Sequence, residues 1–337
     1  MLSSERREFL GIVIMRTRKL GYAELKLTVV GLGTWAMGGP WQFGWGPQDD
    51  NEAIGAVLAG LERGINWIDT AAVYGLGHSE ELIGKALKQT SDKPLIATKC
   101  GLLWNDKREK VNCLKRRSIR EECHASLKRL GVKAIDLYQI HRPDPDEDIE
   151  EAWEEMAKLA EEDKVRYIGV SNFNVAQLER VGKIHPVASL QPPYNMLHRE
   201  AEKELFGYCA ANDIGIVAYS PMERGLLTGK FSQERLANLP LDDHRRRSTD
   251  FQEPEFSANL ELVDRLRPIA ERNDRSLAQL AVAWVLRRDE VTSAIVGARK
   301  PEQIAETSAT TDWKLSEEDI EEIEELLTER QGKLTKK

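Results

Sequence analysis

The sequence lacks the features of membrane, disulfide-rich and nucleic-acid-binding proteins. No stretch of its 337 residues approaches the ~18 consecutive apolar residues that a membrane-spanning helix requires. The four cysteines fit neither a CxxC nor a Cys/His ligand pattern, which indicates free thiols and no metal site. The net charge of -8 opposes non-specific binding to nucleic acid. We therefore expect a cytoplasmic protein whose partner is a small molecule, and the sequence leaves its oligomeric state open.

The first 15 residues are expected to form a non-core N-terminal extension. Residues 4–10 resemble a twin-arginine export signal, but the apolar run that begins at Phe9, FLGIVI, is too short, because a signal requires about 7–15 apolar residues. Met15 is an alternative start just before the first strand-like run. We expect one domain over residues 16–328 and a flexible basic tail over residues 329–337.

From residue 25 onward, short β-branched runs alternate with longer segments of helical apolar spacing. Strands are predicted near residues 27–33, 65–69, 94–98, 135–140, 166–170, 188–191, 215–219 and 293–297. Helices are predicted near residues 49–63, 79–88, 117–129, 149–162, 175–184, 199–212, 259–272 and 301–309. Eight strand–helix units in about 270 residues indicate an α/β fold of the (β/α)8 TIM barrel type, with a doubly wound sheet as the alternative.

Two parts of the sequence are additional to a minimal (β/α)8 barrel. Residues 223–257 form a long polar loop after strand 7, and loops of that length are usually functional or disordered. We expect a flap over a cofactor or substrate. Residues 276–288 and 316–327 have helical spacing beyond one helix per strand, so we expect extra C-terminal helices on the outside of the barrel.

Four polar residues, Asp69, Tyr74, Lys99 and His141, fall where predicted strands end. In a barrel these ends share one face, so the four side chains would form one ionisable cluster. Tyr74 could donate a proton to a carbonyl oxygen if Lys99 lowered its pKa, and Asp69 would keep Lys99 charged. A neutral His141 could orient the carbonyl.

Each of these residues also has an ordinary structural interpretation. Asp69 could cap a helix, Tyr74 could be half-buried core, Lys99 could be a surface residue, and His141 could stabilise a turn. Complementary groups at the ends of three strands favour the catalytic interpretation over four separate coincidences.

The chain resembles the aldo-keto reductases across nearly all of residues 16–328. The motifs occur in the family's order: GLGTWAMGG at 31–39, GINWIDTAAVYGLGHSEELIGKAL at 64–87, ATKCG at 97–101, IDLYQIHRPD at 135–144, IGVSNF at 168–173, QPPYN at 191–195, AYSPMERGLLTGK at 218–230 and IVGARKPEQIAE at 295–306. The resemblance implies a (β/α)8 barrel, a nicotinamide dinucleotide bound without a Rossmann fold, and a catalytic tetrad of Asp69, Tyr74, Lys99 and His141 in which Tyr74 is the general acid.

The resemblance also implies the cofactor residues. Ser171, Asn172 and Gln191 match the nicotinamide carboxamide contacts, and Tyr219 matches the aromatic residue that stacks on the nicotinamide ring. The pyrophosphate segment contributes Ser220, Pro221, Met222, Gly225 and Lys230. Thr34 and Trp35 match the contribution of the first strand, and Asp69 belongs to both the catalytic and the cofactor set.

The adenosine end is expected at Gly297, Arg299, Gln303 and Glu306, where Pro301 opens a helix whose N-terminus favours a phosphate. Arg299 and Gln303 would face the 2'-phosphate, so NADP(H) is the expected cofactor. Gly297 and Thr307 replace a lysine and an asparagine that are common in the family, which leaves the strength of NADP preference open. An ordinary solvated pair is the alternative for Arg299 and Lys300.

The substrate residues implied are Trp35, Tyr74, Trp104 and His141, with Trp41 and Trp45 as further candidates for the wall of an apolar pocket. Arg142 could bind an anionic substrate or pair with Asp144 or Asp146. The identity of the substrate is not predicted.

The sequence therefore predicts an NADPH-dependent reductase of aldehydes or ketones, similar to bacterial general-stress or sugar-pathway members of the family. A regulatory protein that senses the cofactor with little turnover is one alternative. A Schiff-base aldolase that uses Lys99 as its nucleophile is another.

Overall fold

A closed barrel of eight parallel strands forms the centre of the computed structural model, which describes residues 15–335. The expected extension therefore lies outside the described residues, except for Met15. In chain order the strands are β1 (Thr17–Lys19), β2 (Lys26–Thr28), β3 (Val30–Gly33), β4 (Trp67–Asp69), β5 (Leu95–Cys100), β6 (Leu102–Trp104), β7 (Lys110–Asn112), β8 (Ile135–Ile140), β9 (Val165–Ser171), β10 (Ser189–Gln191), β11 (Gly215–Tyr219) and β12 (Val291–Gly297).

The barrel consists of β3, β4, β5, β8, β9, β10, β11 and β12, and it closes where β12 pairs with β3. Its strands are almost entirely buried because helices cover the outside and side chains fill the inside. This confirms the (β/α)8 TIM barrel that the sequence predicts.

Helices surround the barrel in the expected order. They are α1 (Asp50–Glu62), α2 (His78–Leu87), α3 (Arg116–Leu130), α4 (Ile149–Glu161), α5 (Val175–Gly182), α6 (Leu205–Ala211), α7 (Gln233–Ala237), α8 (Glu255–Arg272), α9 (Leu277–Leu286), α10 (Pro301–Ser308) and α11 (Glu317–Thr335). Side chains fix several helix starts: Asp49 accepts hydrogen bonds from two backbone N–H groups at the start of α1. Between residues 15 and 335, no helix combines the length and apolar character that a membrane crossing needs.

The extra helix α9 is more deeply buried than its position outside the barrel suggests. All 10 of its residues are buried, and it packs between β12 and α8. A helix that is apolar on every side requires such enclosure. The long loop after β11 holds the short helix α7 and several 3-10 turns rather than one regular element.

Two antiparallel hairpins, β1–β2 and β6–β7, are absent from the sequence prediction. The prediction of a single strand over residues 27–33 is wrong, because the chain changes partners at Val29, whose N–H donates to the Arg16 carbonyl at 2.9 Å. Both halves of this run are buried, so its hydrophobic pattern does not show the break. Leu20 and Leu25 of the first hairpin pack against Trp67 inside the amino end of the barrel.

Helix α11 ends later than the domain boundary predicted at residue 328. It extends to Thr335, so most of the segment predicted as a flexible tail, residues 329–337, is helical. Arg330 Nε donates to Asn259 Oδ1 on α8 at 2.6 Å. Polar contacts with α8 therefore continue the helix beyond the apolar pattern from which its end was predicted.

A buried carboxylate connects two helices to the strand that carries Lys99. Glu80 on α2 is fully buried; one of its oxygens accepts from Thr98 Oγ1 at 2.6 Å, and the other pairs with Arg129 Nε of α3 at 2.6 Å. A buried carboxylate is stable as an ion only when a partner compensates its charge. Arg129 therefore supports the end of β5 from outside the barrel.

We expect Arg129→Met to lower the free energy of unfolding by about 3 kcal/mol, because it leaves Glu80 buried without its partner. The measurement is urea unfolding followed by circular dichroism. Arg117→Met is the matched control, since it removes an exposed ion pair with Glu121 on the same helix and should not shift the midpoint. Equal midpoints for the two variants would show that the Glu80 pair adds no stability.

Candidate active site

The carboxyl ends of β4, β5 and β8 bring the predicted tetrad together. Asp69 is the last residue of β4, Lys99 precedes the last residue of β5, and His141 directly follows β8. Tyr74 lies in the turn between β4 and α2. All four side chains therefore reach the same end of the barrel, as the sequence predicts.

The Lys99 ammonium lies inside the barrel and is paired with Asp69. Lys99 Nζ is 2.6 Å from Asp69 Oδ1 and also donates to the Thr70 carbonyl at 2.9 Å. Both side chains are almost completely excluded from solvent, at 1% and 3% exposure. Burial lowers the pKa of Lys99, while the charge of Asp69 opposes that change.

Two glutamines fix the other oxygen of Asp69. Gln191 Nε2 donates to Asp69 Oδ2 at 2.9 Å, and Gln139 Nε2 lies 3.5 Å from the same atom. Gln191 comes from β10 and Gln139 from β8. The carboxylate is therefore held from several strands, which restricts Lys99 to one position.

Tyr74 is the group through which this ion pair reaches the cavity. Its hydroxyl oxygen is 3.4 Å from Lys99 Nζ. Burial, and then the negative charge of Asp69, raises the pKa of Tyr74 well above its ordinary value. The expectation that Lys99 would lower this pKa is wrong, because desolvation dominates and the charge of Asp69 adds to the rise. The phenol is consequently protonated at neutral pH.

His141 is neutral, as expected. Burial and the nearby charge of Lys99 lower its pKa well below the ordinary value. The ring centroids of His141 and Tyr74 are 5.7 Å apart with planes at 82°. A neutral imidazole next to a phenol can donate one hydrogen bond to a shared oxygen atom.

The residues predicted to contact the nicotinamide form one hydrogen-bonded group. Asn172 Nδ2 donates to the His141 carbonyl and to Ser171 Oγ, both at 2.9 Å, and the Tyr219 hydroxyl donates to Asn172 Oδ1 at 2.9 Å. Ser171 Oγ donates to the Gln191 carbonyl at 2.8 Å. Gln191 therefore belongs both to this group and to the set of side chains that hold the Asp69 carboxylate.

A cavity of about 1010 Å³ opens above this group. It is lined by all the predicted catalytic and cofactor residues except Lys99, which lies beneath it: Thr34, Trp35, Asp69, Tyr74, His141, Ser171, Asn172, Gln191, Tyr219, Ser220, Pro221, Met222, Gly225, Lys230, Gly297, Arg299, Gln303 and Glu306. The volume is in the range of small-molecule sites. The cavity continues from the tetrad to the start of α10.

Three predicted tryptophans line the cavity and one does not. Trp35 contacts Trp45 edge to face at 5.7 Å and lies 6.5 Å from the Tyr74 ring, and Trp41 also lines the cavity. Trp104 is not among the described lining residues. It pairs with Lys110 in the β6–β7 hairpin, and Lys110 lines the cavity there. Leu102, at the base of the hairpin, lines the cavity instead.

The segment after β11 is held in an unusual backbone conformation. Ser220, Glu223 and Arg224 have positive φ angles of 56°, 40° and 53°, although none is glycine. Such strain costs of order 1–3 kcal/mol per residue and occurs mainly at ligand-binding sites. Asn195 Nδ2 stabilises the segment by donating to the Ser220 carbonyl at 2.9 Å.

A cover segment, residues 240–251, joins this side of the cavity to the loop after β3. The His244 N–H donates to the Gly44 carbonyl at 3.0 Å, and the Arg245 guanidinium lies 4.3 Å from the Trp45 ring centroid. Asp243 pairs with Arg245 at 2.6 Å. The sequence predicts a flap in this region, but it does not predict which residues of the flap make these contacts. The run HRRR at 244–247 is the one feature that sets them apart from the rest of the loop.

An ion-pair network attaches the cover segment to the β11 side. His198 Nε2 is 3.0 Å from Asp250 and 3.7 Å from Glu223, and the hydrogen bond to Asp250 raises the pKa of His198. These three side chains have the spacing of metal ligands. Arg224 pairs with both carboxylates, so their charge is already compensated.

Several cationic side chains lie at the predicted adenosine end of the cavity, and each already has a partner within the protein. The Arg299 side chain donates to Gln48 Oε1 at 2.6 Å and to the Trp45 carbonyl at 3.2 Å. Lys300 pairs with Glu52 at 2.8 Å, and Lys230 pairs with Glu306 at 3.2 Å. A Cβ atom added at Gly297 would meet nothing within 4 Å, so open space adjoins the backbone here.

A model of the Aldo/keto reductase family matches residues 29–328. Aldo-keto reductase YhdN of Bacillus subtilis is 41% identical over 301 residues, covering 88% of this chain and 89% of the relative. The NADH-specific methylglyoxal reductase of Escherichia coli is 32% identical, covering 93% and 98%. The structure of glycerol dehydrogenase AKR11B4 from Gluconobacter oxydans is 37% identical, with a TM-score of 0.85 and coverage of 93% and 95%.

Proposed function

Because this chain belongs to the aldo/keto reductase family, we propose that it reduces aldehyde or ketone carbonyls to alcohols with NADPH and that Tyr74 supplies the proton. Family membership by itself makes the chain a carbonyl oxidoreductase that uses a nicotinamide cofactor. The observation that carries the proposal is the line of contacts from Asp69 through Lys99 to Tyr74 at the floor of the cavity.

NADPH, when bound, supplies a hydride to the carbonyl carbon. The oxygen then gains negative charge, and Tyr74 transfers its phenolic proton to that oxygen. The raised pKa of Tyr74 keeps this proton in place at neutral pH. A positioned acid of this kind typically contributes 10²–10⁴-fold to a rate, in order of magnitude.

Lys99 acts on Tyr74 as the proton leaves. The phenol then becomes a phenolate, and the ammonium 3.4 Å away stabilises the new charge. Asp69 keeps that ammonium charged and fixed in a site where desolvation favours the neutral amine. The two residues thus act most strongly in the transition state, and they do not need to lower the pKa of Tyr74 beforehand.

His141 provides orientation for the carbonyl. Its imidazole is neutral and lies beside the Tyr74 ring, so one ring N–H can donate to the same oxygen that receives the proton. The carbonyl oxygen would then lie between two donors. Trp35 forms the adjacent wall, where a flat apolar surface suits the rest of the substrate.

The cofactor residues are proposed from their position along the cavity. Ser171, Asn172 and Gln191 offer amide and hydroxyl groups next to the tetrad, where a carboxamide would bind. The strained segment from Ser220 to Gly225, with Lys230, would hold the pyrophosphate. The open space at Gly297 and the cations beyond it suit the adenosine end.

Arg299 and the start of α10 support NADPH rather than NADH. The Escherichia coli relative is named an NADH-specific reductase, so family membership does not decide the cofactor. A guanidinium is well shaped for a phosphate, and Arg299 reaches the cavity with Gln303 at the beginning of a helix.

The aldolase alternative conflicts with the position of Lys99. Its amine is 1% exposed, is paired with Asp69 and lies below the cavity floor. A Schiff-base lysine must reach its substrate as a free amine. Lys99 is placed to act through Tyr74 instead.

We expect Tyr74→Phe to reduce kcat/KM for carbonyl reduction by about 10²–10⁴-fold while the Kd for NADPH stays unchanged. The rate is followed by the absorbance of NADPH, and the Kd by fluorescence titration. Tyr208→Phe is the control, because Tyr208 lies on α6 outside the cavity lining. Near-wild-type turnover by Tyr74→Phe would rule out this acid.

The cofactor preference is tested separately with Arg299→Met. Loss of a charge-assisted contact to the 2'-phosphate should raise the Kd for NADPH about 10- to 100-fold and leave that for NADH nearly unchanged. Arg63→Met, at the exposed end of α1, controls for net charge. Equal weakening of both cofactors would mean that Arg299 only holds residues 45–48 in place.

A further inference from the structure

Arg142 directly follows His141 and lines the same cavity. Within residues 15–335, no carboxylate lies within 4.0 Å of its guanidinium, and its side chain makes no hydrogen bond that would hold it. The side chain is exposed to solvent at the mouth of the cavity. A cation in this position is available to a ligand.

The two carboxylates nearest in sequence are occupied by other residues. Asp146 pairs with Arg180 at 2.6 Å and accepts from Gln177 Nε2 at 2.7 Å. Asp144 accepts a hydrogen bond from Asn112. The structure therefore shows neither of the internal ion pairs that the sequence offered as the alternative for Arg142.

The charge of Arg142 acts on the catalytic residues. It partly offsets the rise in the pKa of Tyr74 and of Tyr219, and it adds to the lowering of the pKa of His141. Arg142 and the Tyr74 and His141 side chains line the same cavity, so the guanidinium charge acts at the place where the carbonyl would bind.

Other charges at this end of the cavity leave a net positive field. Lys110 lines the cavity and also lowers the pKa of His141, and its ammonium donates to the neutral Asn112. Asp144 is the opposing carboxylate of the lining. The whole chain carries a net charge of -8, so this local excess of cations departs from the rest of the surface.

We propose that Arg142 is an anion subsite and that the preferred substrates carry a carboxylate or phosphate a few atoms from the carbonyl group. The inference rests on the proposed carbonyl reduction. With the carbonyl oxygen between Tyr74 and His141, the guanidinium of the next residue binds the anionic group of the same molecule. Arginine suits both anions because it can donate two parallel hydrogen bonds.

The test compares pairs of aldehydes of which only one member carries an anionic group. 4-Formylbenzoate is paired with the uncharged 4-formylbenzamide, and glyceraldehyde 3-phosphate is paired with glyceraldehyde. Wild-type enzyme should prefer the anionic member of at least one pair, and the pair with the larger ratio identifies carboxylate or phosphate. Arg142→Met should lower kcat/KM for that anion about 10- to 100-fold more than for the neutral member of the pair, because any effect of the charge on Tyr74 and His141 is common to both substrates.

Two further variants complete the comparison. Arg142→Lys keeps a point charge and should recover part of the loss. Arg108→Met removes the same charge from an exposed position in the β6–β7 hairpin, outside the cavity lining, and should have no effect. Equal losses on charged and uncharged substrates in Arg142→Met would overturn the subsite, as would equal losses in Arg142→Met and Arg108→Met.

A binding measurement separates this inference from the proposed function. Calorimetric titration of benzoate, and of inorganic phosphate, into the complex of enzyme with NADP+ involves no turnover, because neither ligand has an alcohol to oxidise. Weaker binding of either anion to Arg142→Met than to wild type supports the subsite, whether or not the enzyme reduces a carbonyl. If anions bind in this way but no carbonyl is reduced, the proposed reductase activity is refuted and the subsite is not. Unchanged binding of both anions, together with normal reduction of neutral aldehydes, would refute the subsite alone.

Discussion

The buried ion pair between Lys99 and Asp69 is the interaction on which the rest of the site depends. Two charges are withdrawn from water inside the barrel, and their desolvation is expensive unless every remaining polar atom has a partner. The 2.6 Å contact, the Thr70 carbonyl and the side chain of Gln191 supply those partners. They come from different strands, so only a closed barrel in this register can assemble them. The fold therefore determines where an ammonium can approach Tyr74.

The same contacts join the proton donor to the proposed cofactor site. Gln191 donates to Asp69 through its side chain and accepts from Ser171 through its backbone. Asn172 then connects Ser171 to the backbone of His141. A displacement at either site would reach the other through a few hydrogen bonds. The predicted catalytic and cofactor residues, at the ends of neighbouring strands, are therefore linked by hydrogen bonds.

Much of this arrangement follows from the sequence, for identifiable reasons. Buried parallel strands are short β-branched runs, and residues just after them must share one face, so the barrel and the position of the tetrad are predictable. Contacts between residues that are distant in the sequence are not predictable in this way. Val29 changes partners inside a uniformly apolar run, Trp104 belongs to an unpredicted hairpin, and α11 is extended by contacts with α8. The direction of the Tyr74 pKa shift depends on how deeply the phenol is buried and on the charges of Asp69 and Arg142, which the sequence alone does not give.

A double-mutant comparison of single-turnover NADPH oxidation with 4-formylbenzamide tests whether Lys99 promotes reduction through Tyr74. The variants are Tyr74→Phe, Lys99→Met and the two combined, each checked for folding by circular dichroism. Residues that act as one unit give strongly non-additive losses. The account predicts that the double variant is hardly slower than Tyr74→Phe alone. A double variant whose loss equals the product of the two single losses would show that Lys99 acts independently of Tyr74.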